Sequence, residues 1–193
     1  MPNLILGNTT VMTESAGTAT LSSNVVFGPS RHIVKIEQTV KNNRFVAAAN
    51  TNEQLIPDFN CSITPSFANS KILVQYSFDT SSGSTLTAYT YIERKIGTGA
   101  YAKLSGMMGE GTAGNNNSPA LSHGGTYTNW MMYKHAGMYQ DTPSYTLGEA
   151  ITYRIGVRSE STSLTIHVGS TARDSSIYHP RTASILILME VAA

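Results

Sequence analysis

The chain has 193 residues, of which 40% are hydrophobic and 13% are charged, and its formal net charge is +1. This length is sufficient for one sizeable core, and the apolar fraction is too high for a disordered chain. The near-neutral charge gives no electrostatic support for nucleic-acid binding, and no segment reaches the roughly 20 apolar residues that a membrane span needs.

Residues 1–30 differ in pattern from the rest of the chain. Isolated apolar positions are separated by Ser, Thr and Gly, so strands here would be brief and would not bury a core alone. The segment ends at Phe27-Gly28-Pro29-Ser30, which is a turn signal. We therefore predict a short extended N-terminal arm that serves docking or trimerisation. The residues expected to contact a partner are Leu4, Leu6, Val11 and Leu21.

From residue 31 the sequence shows the period-two alternation of half-buried β-strands. The first such segment places Val34, Ile36 and Val40 on one face, which predicts that this face is buried. A glycine turn at residues 97–99 predicts a hairpin. The core-facing residues predicted for the later strands are Phe59, Cys61, Ile63, Ile72, Val74, Tyr76, Phe78, Leu86, Ala88, Thr90, Ile92, Ile96, Ile151, Tyr153, Ile155, Val157, Leu164, Ile166 and Val168.

The last predicted strand, residues 185–191, is apolar on both faces. Ile185, Ile187 and Met189 alternate with Leu186 and Leu188. Such a strand either lies centrally in the fold or faces the core on one side and another subunit on the other. Ile187 is therefore a candidate assembly residue, and we expect a homotrimer that buries these faces around a threefold axis.

No segment keeps a helical period, and about eight to ten short strands separated by Gly, Pro and Asn turns are predicted. We therefore predict an all-β fold, an antiparallel β-sandwich or jelly roll. It forms a knob domain over residues 31–193, which follows the arm of residues 1–30.

Two long stretches, residues 105–126 and 169–180, lack periodicity and are rich in Gly, Asn or Ser. Loops of this length are usually functional or mobile. Tyr and Trp beside them offer flat apolar faces with a polar edge, which suits sugar rings or protein partners. The alternative is that these aromatic side chains, Trp130 above all, fill the core or a subunit interface. The candidate receptor contacts are Glu110, Asn115, Asn116, Asn117, Tyr127, Trp130, Tyr178, His179 and Arg181.

Residues with catalytic or metal-binding chemistry are sparse. The five histidines are not spaced as metal ligands. The remaining possibility for a metal site is one ligand from each of three subunits on a threefold axis. Glu110 could form a glycosidase carboxyl pair with Asp141 or Asp174, but solvated loop acids are the better interpretation. Cys61 is the only cysteine, so it forms no intrachain disulfide and is expected to be buried. We predict no enzyme, no cofactor and no metal.

Three sets of landmarks occur in order along the chain. The first is Glu14-Ser15-Ala16-Gly17-Thr18-Ala19-Thr20-Leu21-Ser22-Ser23-Asn24-Val25, followed by Gly28-Pro29-Ser30-Arg31-His32-Ile33-Val34. The second is Ile63-Thr64-Pro65-Ser66 with Asn69-Ser70-Lys71-Ile72-Leu73-Val74, and the third is Ile185-Leu186-Ile187-Leu188-Met189-Glu190-Val191-Ala192-Ala193. Together they resemble tail-fibre-like proteins of bacteriophages, especially marine ones. Residues 105–140 match no pattern of that family, and the segment before the knob is shorter than many fibre stems.

The resemblance implies a trimeric fibre tip on a virion. We therefore expect a fibre protein that binds the bacterial host surface through a glycan or protein receptor. The alternative is a structural adaptor or decoration protein of the tail, baseplate or head that binds no receptor directly. A third hypothesis, a depolymerase, has no supporting motif.

The expected partners are sister chains, other virion proteins through the arm, and a bacterial receptor. No nucleic acid and no membrane insertion are expected. Residues 1–7 lack the basic region and apolar core of a secretory signal. We therefore expect synthesis in the host cytoplasm and a final location in the virion.

Overall fold

A computed structural model of the chain describes residues 3–6, 9–15, 18–21, 32–84, 86–107, 122–126, 129–175 and 177–192. For residues 3–6, 9–15, 18–21, 86 and 122–126 only the backbone is described. The chain divides into two compact units, Met1–Arg31 and His32–Ala193. In the part of the chain that is described, no helix has the length and apolar character needed to cross a membrane.

The N-terminal unit contains an antiparallel sheet of three short strands, β1 (Asn3–Leu6), β2 (Thr9–Ser15) and β3 (Thr18–Leu21), in that order. The register places Leu4 opposite Met12, and Met12 opposite Leu21. Leu6 lies in β1 and Val11 in β2. The docking role of Leu4, Leu6, Val11 and Leu21 stays a prediction, as does the extended arm.

Within the described residues, the second unit contains eleven strands, which are β4 (Ile33–Lys41), β5 (Phe45–Ala47), β6 (Gln54–Ile63), β7 (Lys71–Ser81), β8 (Leu86–Ile96), β9 (Ala102–Lys103), β10 (Ser122–Thr126), β11 (Tyr133–Asp141), β12 (Ile151–Ser159), β13 (Ile166–Val168) and β14 (Ser184–Val191). They form two antiparallel sheets. A six-stranded sheet, called here the β14 sheet, has the order β4-β14-β7-β13-β5, and β11 also pairs with β7. A five-stranded sheet, the β12 sheet, has the order β10-β8-β12-β6, and β9 pairs with β8. The predicted all-β sandwich is confirmed.

The core lies between the inner faces of the two sheets, where most of the predicted core residues are found. Phe59 packs edge-on against Phe78, with ring centroids 5.7 Å apart. Cys61 is buried as predicted, and burial raises the pKa of its thiol. The predicted core residues confirmed as buried are Phe59, Cys61, Ile63, Ile72, Val74, Tyr76, Phe78, Ala88, Thr90, Ile92, Ile151, Tyr153, Ile155, Val157, Ile166 and Val168.

The face of β4 that was predicted to be buried is turned outward. Ile36 is 59% exposed and Val40 is 46% exposed. On the opposite face, Thr39 donates a hydrogen bond of 2.7 Å from Oγ1 to the carbonyl oxygen of Asn60 in β6. The alternation correctly predicted a strand, but the prediction of its buried face was wrong. Period two defines two faces without stating which one meets the core.

The stretch 105–126, predicted to be irregular, contains a strand. β10 pairs with β8, with Ser122 opposite Thr90 and Thr126 opposite Leu86. The sequence Ser-His-Gly-Gly-Thr has no alternation and includes two glycines, so pairing with β8, and not strand propensity, accounts for β10. A single 3-10 turn, Ser105–Met107, precedes it.

The loop between β6 and β7 is held to β14 by one buried carboxylate. Glu190 is fully buried and accepts hydrogen bonds from the backbone N–H groups of Ser66 and Phe67, at 2.8 and 3.0 Å. The hydroxyl of Ser70 donates a further bond of 2.8 Å. Three donors therefore compensate for removing this charge from water.

Two glycines of the sheets lie under tyrosine rings of neighbouring strands. Gly156 in β12 is opposite Tyr91 in β8, and a Cβ at Gly156 would lie 2.2 Å from Cζ of that ring. Gly137 in β11 is opposite Tyr76 in β7, where the corresponding Cβ would lie 2.6 Å from the hydroxyl oxygen. The rings occupy the space that a glycine leaves empty on a sheet.

The variant Gly156→Ala is expected to lower the free energy of unfolding by about 2 kcal/mol, because its methyl group must displace a buried ring. Chemical denaturation measures this change. Gly83→Ala is the matched control, since a Cβ at Gly83 meets no atom within 4 Å, and its effect should stay within about 0.5 kcal/mol. Adding Tyr91→Leu to Gly156→Ala should recover part of the loss, whereas strictly additive effects would contradict the clash.

Candidate ligand-binding site

A pocket of about 360 Å³ lies on the surface, between the turn before β11 and the loop before β14. Its volume is at the lower end of the range for small-ligand pockets, roughly 300–1,000 Å³. Both segments come from the sequence around the two predicted irregular stretches. The lining residues are Trp130, Arg173, Ser175, Tyr178 and His179.

Exposed aromatic side chains form part of the pocket lining. Trp130 is 61% exposed and Tyr178 is 84% exposed. Trp130 therefore does not fill the core, whereas a place for it in a subunit interface stays a prediction. The guanidinium carbon of Arg173 lies 5.2 Å from the centroid of the Trp130 ring, which is within the range of a cation–π interaction.

The loop that carries Arg173 is fixed by hydrogen bonds to neighbouring segments. The backbone N–H of Arg173 donates to the carbonyl oxygen of Asn129 at 3.1 Å, which joins the two sides of the pocket. The N–H of Gly169 donates to the carbonyl oxygen of Asp79 at 2.9 Å, and the N–H of Ala172 donates to Ser81 Oγ at 2.9 Å. The pocket backbone is thus anchored to the end of β7.

Asp174 joins two arginines beside the pocket. Its carboxylate accepts hydrogen bonds from Arg181 Nε and Nη2, both at 3.0 Å, and from Arg44 Nη1 at 2.6 Å. The hydrogen bond from Arg181, together with the charges of Arg181 and Arg44, holds the pKa of Asp174 below its usual range. Arg181, predicted as a receptor contact, is therefore paired with an acid of its own loop.

His179 and Ser175 contribute polar groups to the pocket. The backbone N–H of Ser175 donates to His179 Nδ1 at 3.2 Å. A neutral imidazole that accepts at Nδ1 carries its proton on Nε2. His179 Nε2–H is then a hydrogen-bond donor, and the Ser175 hydroxyl can both donate and accept.

The structure therefore brings Trp130, Tyr178 and His179 together, with Arg181 on the same loop as the last two. Arg173 and Ser175 line the pocket but were not predicted, although a cation within the second irregular stretch was an available signal. The other candidate contacts, Glu110, Asn115, Asn116, Asn117 and Tyr127, lie outside the described residues. The receptor-binding role of the whole set stays a prediction.

Asp141 is not the solvated loop acid that was expected. It is buried at the end of β11 and accepts hydrogen bonds from Arg94 Nη1 at 2.8 and 2.6 Å, and from the Tyr153 hydroxyl at 2.7 Å. Burial and the charge of Asp141 raise the pKa of Tyr153. This ion pair connects the β14 sheet to the β12 sheet.

Among the described residues, no group of three or more His, Cys, Asp or Glu side chains is arranged to hold a metal ion.

Three neighbouring rows of side chains on the outer face of the β14 sheet are mostly apolar. Ile187 lies between Gln38 and Gln75 in the register, and the neighbouring rows and β11 add further apolar side chains. No charged residue occupies these three rows where β4, β14, β7 and β11 are paired. We call these three rows the apolar face, and their apolar residues are Ile36, Val40, Leu73, Ala136, Met138, Ile185, Ile187 and Met189. The same rows also hold Gln38, Gln75, Ser77 and Gln140.

The outer face of the β12 sheet has the opposite character. Arg154 forms a salt bridge with Glu93, with Nε 2.7 Å from Oε2, and its guanidinium carbon lies 3.5 Å from the Tyr101 ring centroid. Arg158 stands over the ring of Tyr89 at 4.8 Å. Charged groups thus lie on this side of the sandwich, whereas the three rows of the apolar face carry none.

Comparison of the sequence with protein-family models finds no match, and comparison with curated proteins finds none either. Function is therefore inferred from the pocket and from the contrast between the two outer faces.

Proposed function

We propose that the chain is a bacteriophage virion fibre protein whose trimeric tip binds the bacterial surface through a glycan or protein receptor. The pocket carries this proposal, because it places the exposed rings of Trp130 and Tyr178 beside Arg173 on a firmly anchored loop. Tyr, Trp and Arg are the side chains most enriched among binding hot spots. The ordered resemblance to tail-fibre-like proteins supports the virion assignment.

The sandwich is proposed to be a jelly roll. Its long strands have the orders β4-β14-β7-β11 and β6-β12-β8-β10, so the first long strand lies beside the last. Successive strands β6, β7 and β8 alternate between the two sheets, as expected for two Greek keys. Jelly rolls occur in viral capsid and lectin domains, and this analogy of fold is compatible with a binding function.

The apolar face is proposed to contact sister chains in the trimer. Ile36 and Met138 are more than half exposed in the single chain, and contiguous exposed apolar surface often marks an interface. Three copies of this face around a threefold axis bring no like charges together, because its three rows carry no charge. The charged outer face of the β12 sheet then remains toward solvent.

The alternative function is a structural virion adaptor or decoration protein without direct receptor binding. The apolar face favours it, because this surface would serve contact with a different virion protein as well as contact with sister chains. The two functions differ in what they require of the pocket, which only receptor binding needs.

Trp130→Ala and Tyr178→Ala are each expected to weaken cell attachment roughly thirtyfold, which corresponds to about 2 kcal/mol for an aromatic hot spot. The melting temperature should hardly change, because both side chains are exposed. Binding of labelled protein to a panel of marine bacteria and differential scanning fluorimetry measure the two effects.

Ile177→Ala is the matched control for these variants. Ile177 is 93% exposed, precedes Tyr178 and does not line the pocket, so this substitution should leave attachment unchanged. If the parent attaches to cells and both aromatic variants attach equally well, the pocket is not the receptor site. If the parent attaches to none, the adaptor function takes the place of receptor binding.

A further inference from the structure

We propose that the pocket selects an anionic saccharide, a sugar that bears a carboxylate or phosphate group, with its ring against Trp130 and its anion on Arg173. This inference rests on the proposed receptor-binding function and specifies the chemical class of the receptor.

The anionic preference follows from how the arginines near the pocket are paired. Arg44 and Arg181 share the carboxylate of Asp174. Among the described residues, no carboxylate forms a salt bridge with Arg173, which lines the pocket and lies over Trp130. A guanidinium is weakly hydrated and matches carboxylate or phosphate with two parallel N–H donors. Arg173 therefore supplies a positive charge that a ligand can neutralise.

The saccharide preference follows from the remaining groups of the pocket. The exposed indole of Trp130 offers a flat apolar surface on which the C–H face of a sugar ring can lie. His179 Nε2–H and the Ser175 hydroxyl are suited to bind sugar hydroxyl groups. A volume of about 360 Å³ is suited to a small ligand such as one or two sugar residues.

Trp130 makes the test direct, because it is the only tryptophan in the chain. Its fluorescence reports on the pocket without a label. The full chain is titrated with galacturonic acid oligosaccharide and its neutral methyl ester, with sialyllactose and lactose, and with mannose 6-phosphate and mannose. We expect saturable changes in fluorescence with the anionic member of each pair. The affinity derived from them should be at least about tenfold higher than the affinity for the neutral member. The affinity should fall at high salt, because a partly exposed ion pair is screened.

Arg173→Gln should remove most of the preference for the anionic member of each pair, with an expected loss of affinity of about tenfold or more. Arg158→Gln is the matched control, since it removes another guanidinium that lies over an aromatic ring, with Cζ 4.8 Å from the Tyr89 centroid. The control should bind like the parent. The carboxylated and phosphorylated probes show which anion the receptor carries.

The outcomes separate this inference from the proposed function. Equal binding of neutral and anionic partners overturns the anionic preference, as does an Arg173→Gln variant that keeps it. If no probe changes the fluorescence while Trp130→Ala loses cell attachment, the anionic-saccharide inference is overturned. The proposed receptor-binding function then remains in place. Tight anionic binding without any attachment to cells supports the inference and contradicts the receptor function.

Discussion

Replacing Glu190 with alanine is expected to lower the free energy of unfolding by about 4 kcal/mol. The substitution leaves the N–H groups of Ser66 and Phe67 and the hydroxyl of Ser70 without their acceptor, next to a fully buried position. The hydrogen bond from Ser70 is buried, and those from Ser66 and Phe67 are part-buried. A donor that loses its partner in a buried site typically costs about 1–3 kcal/mol. Chemical denaturation near neutral pH measures the loss.

Glu37→Ala is the control for this prediction. The Glu37 side chain is 42% exposed and lies 3.4 Å from Lys35 Nζ, a surface pair expected to contribute less than about 1 kcal/mol. A Glu190→Ala chain that unfolds at the same denaturant concentration as Glu37→Ala would contradict this prediction. It would show that the hydrogen bonds that Glu190 accepts from the loop between β6 and β7 do not stabilise the fold.

The same carboxylate should make stability depend on pH. Burial alone would raise the pKa of Glu190, but the hydrogen bonds from Ser66, Ser70 and Phe67 outweigh it and hold the pKa below the usual 4.5. A group with a lowered pKa in the folded state stabilises the fold above its unfolded pKa, and this contribution is lost as the pH falls through the folded value. Glu190→Gln should therefore lose less stability than the parent on acidification. An unchanged dependence on pH would contradict the assignment.

The second large effect concerns two neighbouring residues of β14. Leu188→Asp should prevent folding, because Leu188 is fully buried in the core and an unpaired charge there costs several kcal/mol. From the sequence, Ile187 was a candidate assembly residue. The structure places Ile187 on the apolar face, where it is only half-buried. The expected result is a folded chain that no longer forms a trimer.

Circular dichroism and light scattering test this pair of variants. The parent should scatter as a trimer, Ile187→Asp as a folded monomer, and Leu188→Asp should be insoluble or unfolded. A parent chain that stays monomeric at micromolar concentration, or an Ile187→Asp chain that remains trimeric, would exclude the apolar face as the trimer contact.

The strands were predictable because their signal is local. In β7 the alternating residues Ile72, Val74, Tyr76 and Phe78 are apolar and buried, and in β12 so are Ile151, Tyr153, Ile155 and Val157. In these strands the period and the buried face coincide. In β4 the period was equally clear, but the apolar side faces outward. The sequence cannot distinguish a face that meets the core from a face that is suited to another chain. β10 was missed because its position depends on β8 and not on its own residues.

The candidate site was only partly predictable, for a related reason. Trp130 and Tyr178 could be predicted as contacts, because they are aromatic residues beside aperiodic segments. The importance of Arg173 depends on which arginines Asp174 holds, and one of these, Arg44, is 130 residues away in the sequence. Likewise, Asp141 resembles a loop acid in the sequence, but in the structure it accepts hydrogen bonds from Arg94. Ion pairing of this kind is a property of the assembled sandwich.

The position of β14 has a consequence for how the protein folds during synthesis. Within the described residues β4 pairs with β14 and with no other strand, and Lys41 meets Ser184 only after most of the domain has been translated. Glu190 reaches Ser66 across 124 residues. Contacts between such distant segments close slowly. We therefore expect β4 to stay unpaired when it emerges from the ribosome. The sandwich should then close in one late step, once β14 has been translated and can pair with β4.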